Sequence, residues 1–462
     1  MVGKTQPARG MRDFLPPDVR RREYVIRTIR EVYESYGFEP LETPAVENIE
    51  TLLGKYGEEG NRLIFKILKR GEHEKSGEAD LALRYDLTVP LARVVAEYQH
   101  QLPPFFKRYQ IQPVWRADRP ARGRFREFYQ CDVDVTGARS MLVEVELCAA
   151  ASDALERLGF DDFVIRLNHR QALGGLLDRA GVERAQHEAA LVALDKFDKI
   201  GAEGVRAELA ERAISAEAAQ RLLNFFREIA EIERAAEFVG SDARPPRAAL
   251  NQAVLGRMLE FIGDHESGGR GIEELRQILG YAADAGVSAR LKLDPSLARG
   301  LSYYTGAIME INVTDLAGSL GGGGRYDNLI GMFLGRDVPA CGFSLGLERI
   351  IVVMTERGMF PPDLERAPVD VMVTVWNEAE AGESLALARA LRRAGLRVDV
   401  YPETHKLAKQ FRYAASRGIP FVVVAGPDER ARGEVGLKEM RSGEQRAVRR
   451  DALAAEIKAL IG

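Results

Sequence analysis

Cysteine is scarce in this chain. Its three residues, Cys131, Cys148 and Cys341, sit in apolar surroundings and none belongs to a Cys-x-x-Cys pair, so neither a disulfide framework nor a structural zinc is expected. Histidine is sparse as well: six residues, scattered without the close spacing that gathers metal ligands, and no metal site is expected from them. No apolar run approaches the roughly 18 residues that a membrane span requires, which excludes a helical membrane protein. The first residues, MVGKTQPARGMRDFLPPD, lack the apolar core of a secretory signal, so the expected location is cytoplasmic. There is no internal repeat and no low-complexity tract. Nor does one sign of charge dominate: 65 Lys and Arg stand against 69 Asp and Glu, a net charge of −4. That balance argues against a protein that coats nucleic acid through a general basic surface, and leaves room for a local one.

What the chain does have is length and regular apolar patterning. At 462 residues, 46% hydrophobic and 29% charged, it is globular and too long for one core, which predicts two to four domains. Residues 370–462 carry sixteen Lys and Arg against thirteen Asp and Glu, a local excess of positive charge in a chain that is otherwise acidic. Apolar strands VMVTV (371–375), LRVDVY (396–401) and PFVVVAG (420–426) recur there, with helical patterns at 380–394 and 406–417. This predicts a βαβαβ unit with a parallel sheet, then a hairpin and a last helix. The Pro-rich GMFPPDLERAP (358–368) before it reads as a linker. Near the start, Val25, Ile26, Ile29, Val32, Tyr33 and Tyr36 fall at helical spacing with Gly37 as a stop, and FEPLETPAVE then predicts an extended segment. Residues 171–290 are rich in Ala, Leu, Glu and Arg and predict an all-helical insertion, with strands resuming at GAIMEINVTD (306–315).

Charge of both signs concentrates in RADRPARGRFREFYQCDVDV (116–135), which holds five arginines and four acids. From Phe128 onward the odd positions, Tyr129, Cys131, Val133 and Val135, are mostly apolar, while the even ones are Phe128, Gln130, Asp132 and Asp134. Alternation of this kind predicts a strand with one face in a core and the other presenting an aromatic, an amide and two carboxylates. FFKRYQIQPVWRAD upstream is strand-like and RPARGR between them is a loop. The expected hairpin has Arg116 and Asp118 near the end of one strand and Arg124 starting the next. Two readings fit it: a solvated tip laced with ion pairs, or a site holding a polyanion with arginine and an amine or imidazole with carboxylate.

Other stretches also carry two readings. In LALRYDLTVPLARVV (81–95), Asp86 and Thr88 lie on one side of an extended chain, or cap a helix. In LARGLSYYTG (297–306), Arg299, Tyr303 and Tyr304 form a reactive loop or a turn with packed aromatics. GSLGGGGRYDNLIG (318–331) puts four glycines before Arg325 and Tyr326, a run that bends sharply or admits a ligand to the backbone; it lacks the Lys-Ser/Thr ending of a P-loop. CGFSLGLERIIVVM runs from a strand into an apolar helix that starts near Glu348 and Arg349, where an arginine suits a phosphate or a surface ion pair.

The order of these stretches resembles the histidine–tRNA ligase (histidyl-tRNA synthetase) family of class II aminoacyl-tRNA synthetases over nearly the whole chain. RGMRDFLP (9–16) and the helix–strand–Pro ending at Pro44 resemble the first class motif. RYDLTVP (84–90) and RADRPARGRFREFYQCDVDV, the second motif, follow. RGLSYYTG (299–306) and GGGRYDNLIGMF (322–333) resemble the two histidine-specific signatures, and GFSLGLER (342–349) the third motif. The resemblance implies an α/β chain with an α+β catalytic core: an antiparallel sheet flanked by helices (1–170 and 291–360), a helical insertion (171–290), a linker (361–368) and a βαβ-type anticodon-binding domain (369–462).

It also implies an ATP-dependent ligase that forms histidyl-adenylate and transfers it to tRNA(His), with Mg2+ accompanying ATP and a homodimer built by the first motif. Residue by residue, Arg116 is expected on the α-phosphate with Asp118 beside it, Arg349 on the γ-phosphate, Phe128 on adenine, and Arg124 and Glu348 also at ATP. Asp86, Thr88 and Gln130 would hold the α-amino group of histidine; Asp134 and Tyr304, with Tyr303 and Tyr326 nearby, would read the imidazole. Arg299 would reach the carboxylate and the α-phosphate, and with Arg116 carries catalysis. Ser302 stands where the family commonly has Asp, which puts that carboxylate's local contact in question. Two other readings are a non-catalytic synthetase-like regulatory subunit of histidine biosynthesis and an RNA-binding module without ligase activity. The retained Arg116, Arg299, Arg349 and C-terminal domain weigh against the first, and the lack of any kinase motif against the second.

Overall fold

Helix Pro16–Ser35 ends where the pattern predicts and begins well before it, with proline in its first turn and Asp18 near its positive end. Val25, Ile29, Val32 and Tyr33 form its buried stripe, each side chain contributing about 1.5–3 kcal/mol of apolar burial. Gly37, at φ 76°, takes the left-handed turn that ends it. The molecule is described from a computed structural model covering residues 5–71, 76–237, 246–298, 302–365 and 368–461.

The chain divides into two units, residues 1–360 and 361–462. In the first, the strands are β1 (Glu39–Pro40), β2 (Val46–Asn48), β3 (Lys66–Leu68), β4 (Ala79–Leu83), β5 (Phe106–Trp115), β6 (Glu127–Thr136), β7 (Val164–His169), β8 (Leu291–Leu293), β9 (Ala307–Asn312), β10 (Ser319–Arg325) and β11 (Ala340–Gly346). Eight of them form one sheet in the order β1-β5-β6-β11-β10-β9-β7-β8. Its central pairs are antiparallel, and only the outermost, β1·β5 and β7·β8, run parallel. β2, β4 and β3 make a small antiparallel sheet.

The helical stretch runs through Arg170–Ala180, His187–Leu194, Phe197–Glu211, Ala216–Glu237, Arg247–Ile262 and Glu266–Asp284. Strands resume at β8, earlier than the sequence pattern places them. Neither β7 nor β8 is evident from that pattern: LKL is too short for alternation to register, and pairing with β7 makes it a strand.

Three further details correct the sequence reading or choose between its alternatives. The hairpin's second strand starts at Glu127, so Arg124 lies in the loop and only bridges Ala121. Thr88 is the first residue of helix Thr88–Tyr98 rather than part of an extended chain. The four glycines, Gly321 to Gly324, do not bend the chain; they lie inside β10, where neighbouring backbones crowd them. A Cβ on Gly321 would come 2.5 Å from the Ser344 carbonyl oxygen and one on Gly324 would come 2.6 Å from that of Ala307.

The second unit has strands β12 (Val371–Val373), β13 (Val398–Val400), β14 (Phe421–Val424), β15 (Glu434–Glu439) and β16 (Gln445–Arg449) in the order β13-β12-β14-β15-β16. The first three are parallel, with helices Ala381–Arg393 and Leu407–Ser416 as crossovers, and β15·β16 is the expected hairpin.

Candidate active site

Alternation along β6 sorts its side chains as the sequence requires. Cys131, Val133 and Val135 are buried in the main core with Tyr129 packed against it. Phe128, Gln130, Asp132 and Asp134 all line a cleft of about 930 Å³. Asp86, Thr88, Arg116, Asp118, Arg124, Tyr303, Tyr304, Tyr326, Glu348 and Arg349 line the same cleft. Every proposed site residue among the described ones is therefore brought together. Arg299 lies outside the described residues.

Arg116 is held at the mouth of the hairpin. Its Nε donates to the Tyr85 carbonyl at 3.0 Å, and its guanidinium lies 4.3 Å from the Tyr85 ring centre and 5.2 Å from that of Phe128. Three other arginines of the stretch have protein partners. Arg124 pairs with Asp118 at 2.8 Å, Arg122 pairs with Glu356, and Arg126 donates to the Asp118 carbonyl at 3.0 Å. The ion-paired reading thus applies to Arg122, Arg124 and Arg126, while Arg116 lines the cleft.

Asp86 caps a helix and faces the cleft at once. Its Oδ1 accepts from the backbone N–H of Val89 at 3.1 Å and from the Tyr56 hydroxyl at 3.0 Å; its Oδ2 accepts from the Tyr303 hydroxyl at 3.1 Å. Burial raises the Asp86 carboxyl above its ordinary range and raises Tyr56 and Tyr303 far above theirs, so both phenols stay neutral donors. Tyr303 meets the rings of Tyr304 and Tyr326 edge to face, at 5.1 and 5.9 Å.

Deeper in, Tyr326 donates to Asp134 Oδ1, and Arg108 Nη2 lies 2.9 Å from Asp134 Oδ2 and 3.8 Å from Asp132 Oδ2. Register explains the meeting: Arg108 stands opposite Asp134 on β5, and Gly342 opposite it on β11. A Cβ at 342 would overlap Asp134 Oδ1, so glycine there makes room for the carboxylate. Burial raises both Asp132 and Asp134, with Arg108 opposing the rise. Asp132 and Asp134 are thus two buried carboxylates beside one buried guanidinium, and Asp86, buried in the same cleft, answers to Arg116 instead, an arrangement that favours a further cation.

This imbalance has a measurable consequence. Burial pushes Asp132 from 3.8 up to about 7, so the cost of ionising it in the folded state is absent below about pH 4, grows through the interval and is complete above about pH 7. Asp132→Asn removes that cost. Its Tm is expected to exceed wild type at pH 8 and to gain less at pH 5; thermal melts showing a pH-independent shift, or a loss at pH 8, would contradict it.

Glu348 and Arg349 occupy the first turn of helix Leu347–Glu356, after β11. Glu348 is buried and already engaged: Arg22 donates to Oε1 at 2.8 Å and the Tyr129 backbone N–H to Oε2 at 2.9 Å. Arg349 donates to the Ser319 carbonyl. Ser302, in place of the family's usual Asp, reaches the Lys55 carbonyl at 3.4 Å. Tyr56, Tyr85, Arg108, Gly342 and Ser344 join the site without having stood out in the sequence. The polar alternation Arg108, Gln110, Gln112 on β5 is the signal for Arg108; Tyr85 lies inside RYDLTVP, Gly342 and Ser344 inside GFSLGLER, and Tyr56 has none.

A sheet whose central strands are antiparallel, with arginines at a nucleotide-sized cleft and a strand-to-helix arginine, defines a class II aminoacyl-tRNA synthetase core. The family profile described as histidyl-tRNA synthetase matches residues 10–350, and that described as anticodon binding domain matches 370–460. The histidine–tRNA ligase of Gloeobacter violaceus is 42% identical, over 97% of this chain and 97% of that one; the one from Porphyromonas gingivalis is 42% identical, over 96% and 97%. The crystal structure of histidyl-tRNA synthetase from Nostoc sp. PCC 7120 superimposes with a TM-score of 0.77 at 33% identity, covering all of both chains. This chain belongs to the histidyl-tRNA synthetase family. Its activity is that of an ATP-dependent histidine–tRNA ligase. Among the described residues no helix is long and apolar enough to cross a membrane.

Proposed function

We propose that histidine and ATP react in the cleft beside β6, and that the adenylate formed there is passed to tRNA(His). The observation that carries this reading is the presence in one cleft of three buried carboxylates, Asp86, Asp132 and Asp134, and of the guanidiniums of Arg116 and Arg349. Histidine's ammonium suits the first, and the triphosphate suits Arg116 and Arg349. Asp86, Thr88 and Gln130 face the α-amino group; Asp134, Tyr304, Tyr303 and Tyr326 surround the imidazole; Phe128 stacks on adenine, with Asp118 and Arg124 flanking it. When the carboxylate oxygen of histidine attacks the α-phosphorus and diphosphate leaves, two anions must approach. Fixed guanidiniums offset that repulsion and stabilise the charge that gathers on the phosphate oxygens. Arg116 meets them through its Nη groups, its Nε being spent on Tyr85. Arg299 is proposed to join it on sequence grounds.

Among the described residues no cluster of three or more metal-ligating side chains stands ready, which fits a cation that arrives with ATP and keeps several waters. Glu310, Glu348 and Asp118 are among the acidic side chains that line the cleft, and Glu310 fits best, because Arg22 and Tyr129 already occupy both oxygens of Glu348 and Arg124 pairs with Asp118. Mg2+ held there would neutralise phosphate charge. The dimer and the cytoplasmic location belong to the same proposal, as do the roles of residues 171–290 as an insertion in the core, 361–368 as a linker and 369–462 as the anticodon-binding domain. The regulatory-subunit reading is set aside because relatives named as ligases match along the full length, C-terminal domain included.

Histidine-dependent exchange of diphosphate into ATP tests the first step. A chain ending near residue 365 is expected to keep that exchange close to the full-length rate, while aminoacylation of tRNA falls at least about 10²-fold through lost binding. Loss of exchange in a folded truncation would show that residues 366–462 take part in the first step.

A further inference from the structure

β7 and β8 stop pairing at Leu167 and Leu293, yet the chain that follows β8 stays fastened to the end of β7 by side chains. Arg166 donates from Nε to Asp294 Oδ2 at 2.8 Å and from Nη2 to the Ser296 hydroxyl at 3.0 Å. Asn168 Nδ2 donates to the carbonyls of Pro295 at 3.2 Å and Leu297 at 2.9 Å, and Arg170 Nη1 to that of Ala298 at 3.3 Å. We propose that Asn168, at the centre of this side-chain ladder, is a positioning residue for histidine recognition: it fixes the segment against which the Tyr304 ring is seated. The inference rests on Tyr304 reading the imidazole.

The Asn168 amide is fully engaged. Its Oδ1 accepts from the His169 backbone N–H at 2.9 Å while Nδ2 faces the two carbonyls, so one orientation alone satisfies all three neighbours. Asn168 is completely buried and does not line the cleft, which leaves it no way to touch a substrate. What it holds does line the cleft: Leu297 and Ala298 belong to the wall. The Leu297 side chain clusters with Leu173 and Ile308, and Tyr304 packs against that cluster. Gly324 of β10 also lies close to the ring, since a Cβ there would come 3.0 Å from Tyr304 Cδ1. The chain leaves the ladder at Ala298 and returns to it at Gly306, whose carbonyl accepts from the Arg170 backbone N–H at 2.9 Å. Tyr303 and Tyr304 lie between these two ties. A phenol seated on a fixed wall meets the imidazole without reorganising, and a small displacement of that wall carries the hydroxyl away from its target.

The test measures histidine-dependent diphosphate exchange with the full chain, well below its Tm. Asn168→Asp keeps the shape and the acceptor for His169, and turns the donor group into an oxygen that faces two carbonyl oxygens. The Michaelis constant for histidine is expected to rise about 5- to 30-fold, the scale of one hydrogen bond lost from a shielded site. That for ATP should stay within about twofold, too little to represent such a bond. Tyr304→Phe alone is expected to weaken histidine by a similar factor. Asn168→Asp added to it should change the constant by no more than about twofold, because two substitutions that remove the same contact do not add. Fully additive effects would overturn the proposal by showing that Asn168 acts through another group. A lowered Tm with unchanged Michaelis constants would overturn it by making Asn168 a stability residue only. Wild-type histidine binding in Tyr304→Phe would withdraw Tyr304 from the imidazole, and the proposal with it, a failure of the site reading that the single Tyr variant detects by itself. Should the Asp variant not fold, Asn168→Ser, uncharged and too short to reach both carbonyls, is read in the same way.

Discussion

Asp134→Ala is expected to raise the Michaelis constant for histidine by roughly 30- to 1000-fold, about 2–4 kcal/mol, while leaving that for ATP nearly unchanged. The structure makes the carboxylate a rigid acceptor. Tyr326 donates to one oxygen and Arg108 flanks the other, while Gly342 clears the space it occupies. An imidazole N–H placed against it gains a charge-assisted hydrogen bond in a dry site without a side chain having to reorganise. Truncation also leaves Arg108 with Asp132, at 3.8 Å, as its nearest carboxylate, so part of the loss is pocket reorganisation rather than the contact itself. Steady-state diphosphate exchange at varied histidine and ATP separates the two constants. Equal effects on both would remove Asp134 from the imidazole.

Arg116→Lys is expected to lower the single-turnover rate of adenylate formation by about 10²-fold or more, the scale of losing one preorganised charge-stabilising donor. Lysine keeps the charge and loses the geometry. The Nε bond to Tyr85 and the position over the Tyr85 and Phe128 rings fix the guanidinium plane, whereas an ammonium on a flexible stem neither makes that bond in the same pose nor presents a fork to phosphate oxygens. The Michaelis constants should move much less, as for an interaction that tightens in the transition state. Transfer from preformed adenylate to tRNA should be less affected, since the α-phosphate has by then reacted. A variant with normal adenylate formation and failed transfer would give Arg116 a different task.

Local pattern carries a large share of this molecule. Alternation from Phe128 to Val135 is enough to separate the core face of β6 from its cleft face, because a strand's period is two and burial is one-sided. The apolar stretches of residues 370–462, spaced by helical patterns, specify β12, β13 and β14 with their crossovers. Where the pattern is silent or misleading, the deciding partner lies far along the chain. Four consecutive glycines read locally as a bend or as an opening for a ligand; they form a strand that borders the cleft because the backbones of β9 and β11 close in on either side of β10 and exclude side chains.

The sequence by itself determined the two faces of β6, the alternation of strands and helices in residues 370–462 and the residue types that line the cleft. Only the tertiary structure decided how those residues are charged and held. Asp86 receives two phenols, Tyr56 from 30 positions before it and Tyr303 from 217 after it. Arg108 slides beneath Asp134 because β5 and β6 pair in that register, and Glu348 is drawn to Arg22 across 326 positions. Periodicity reports which way a side chain points from its own backbone. Burial, the partners that satisfy a buried charge and the pKa they impose depend on contacts between distant segments, and those exist only once the sheet has assembled.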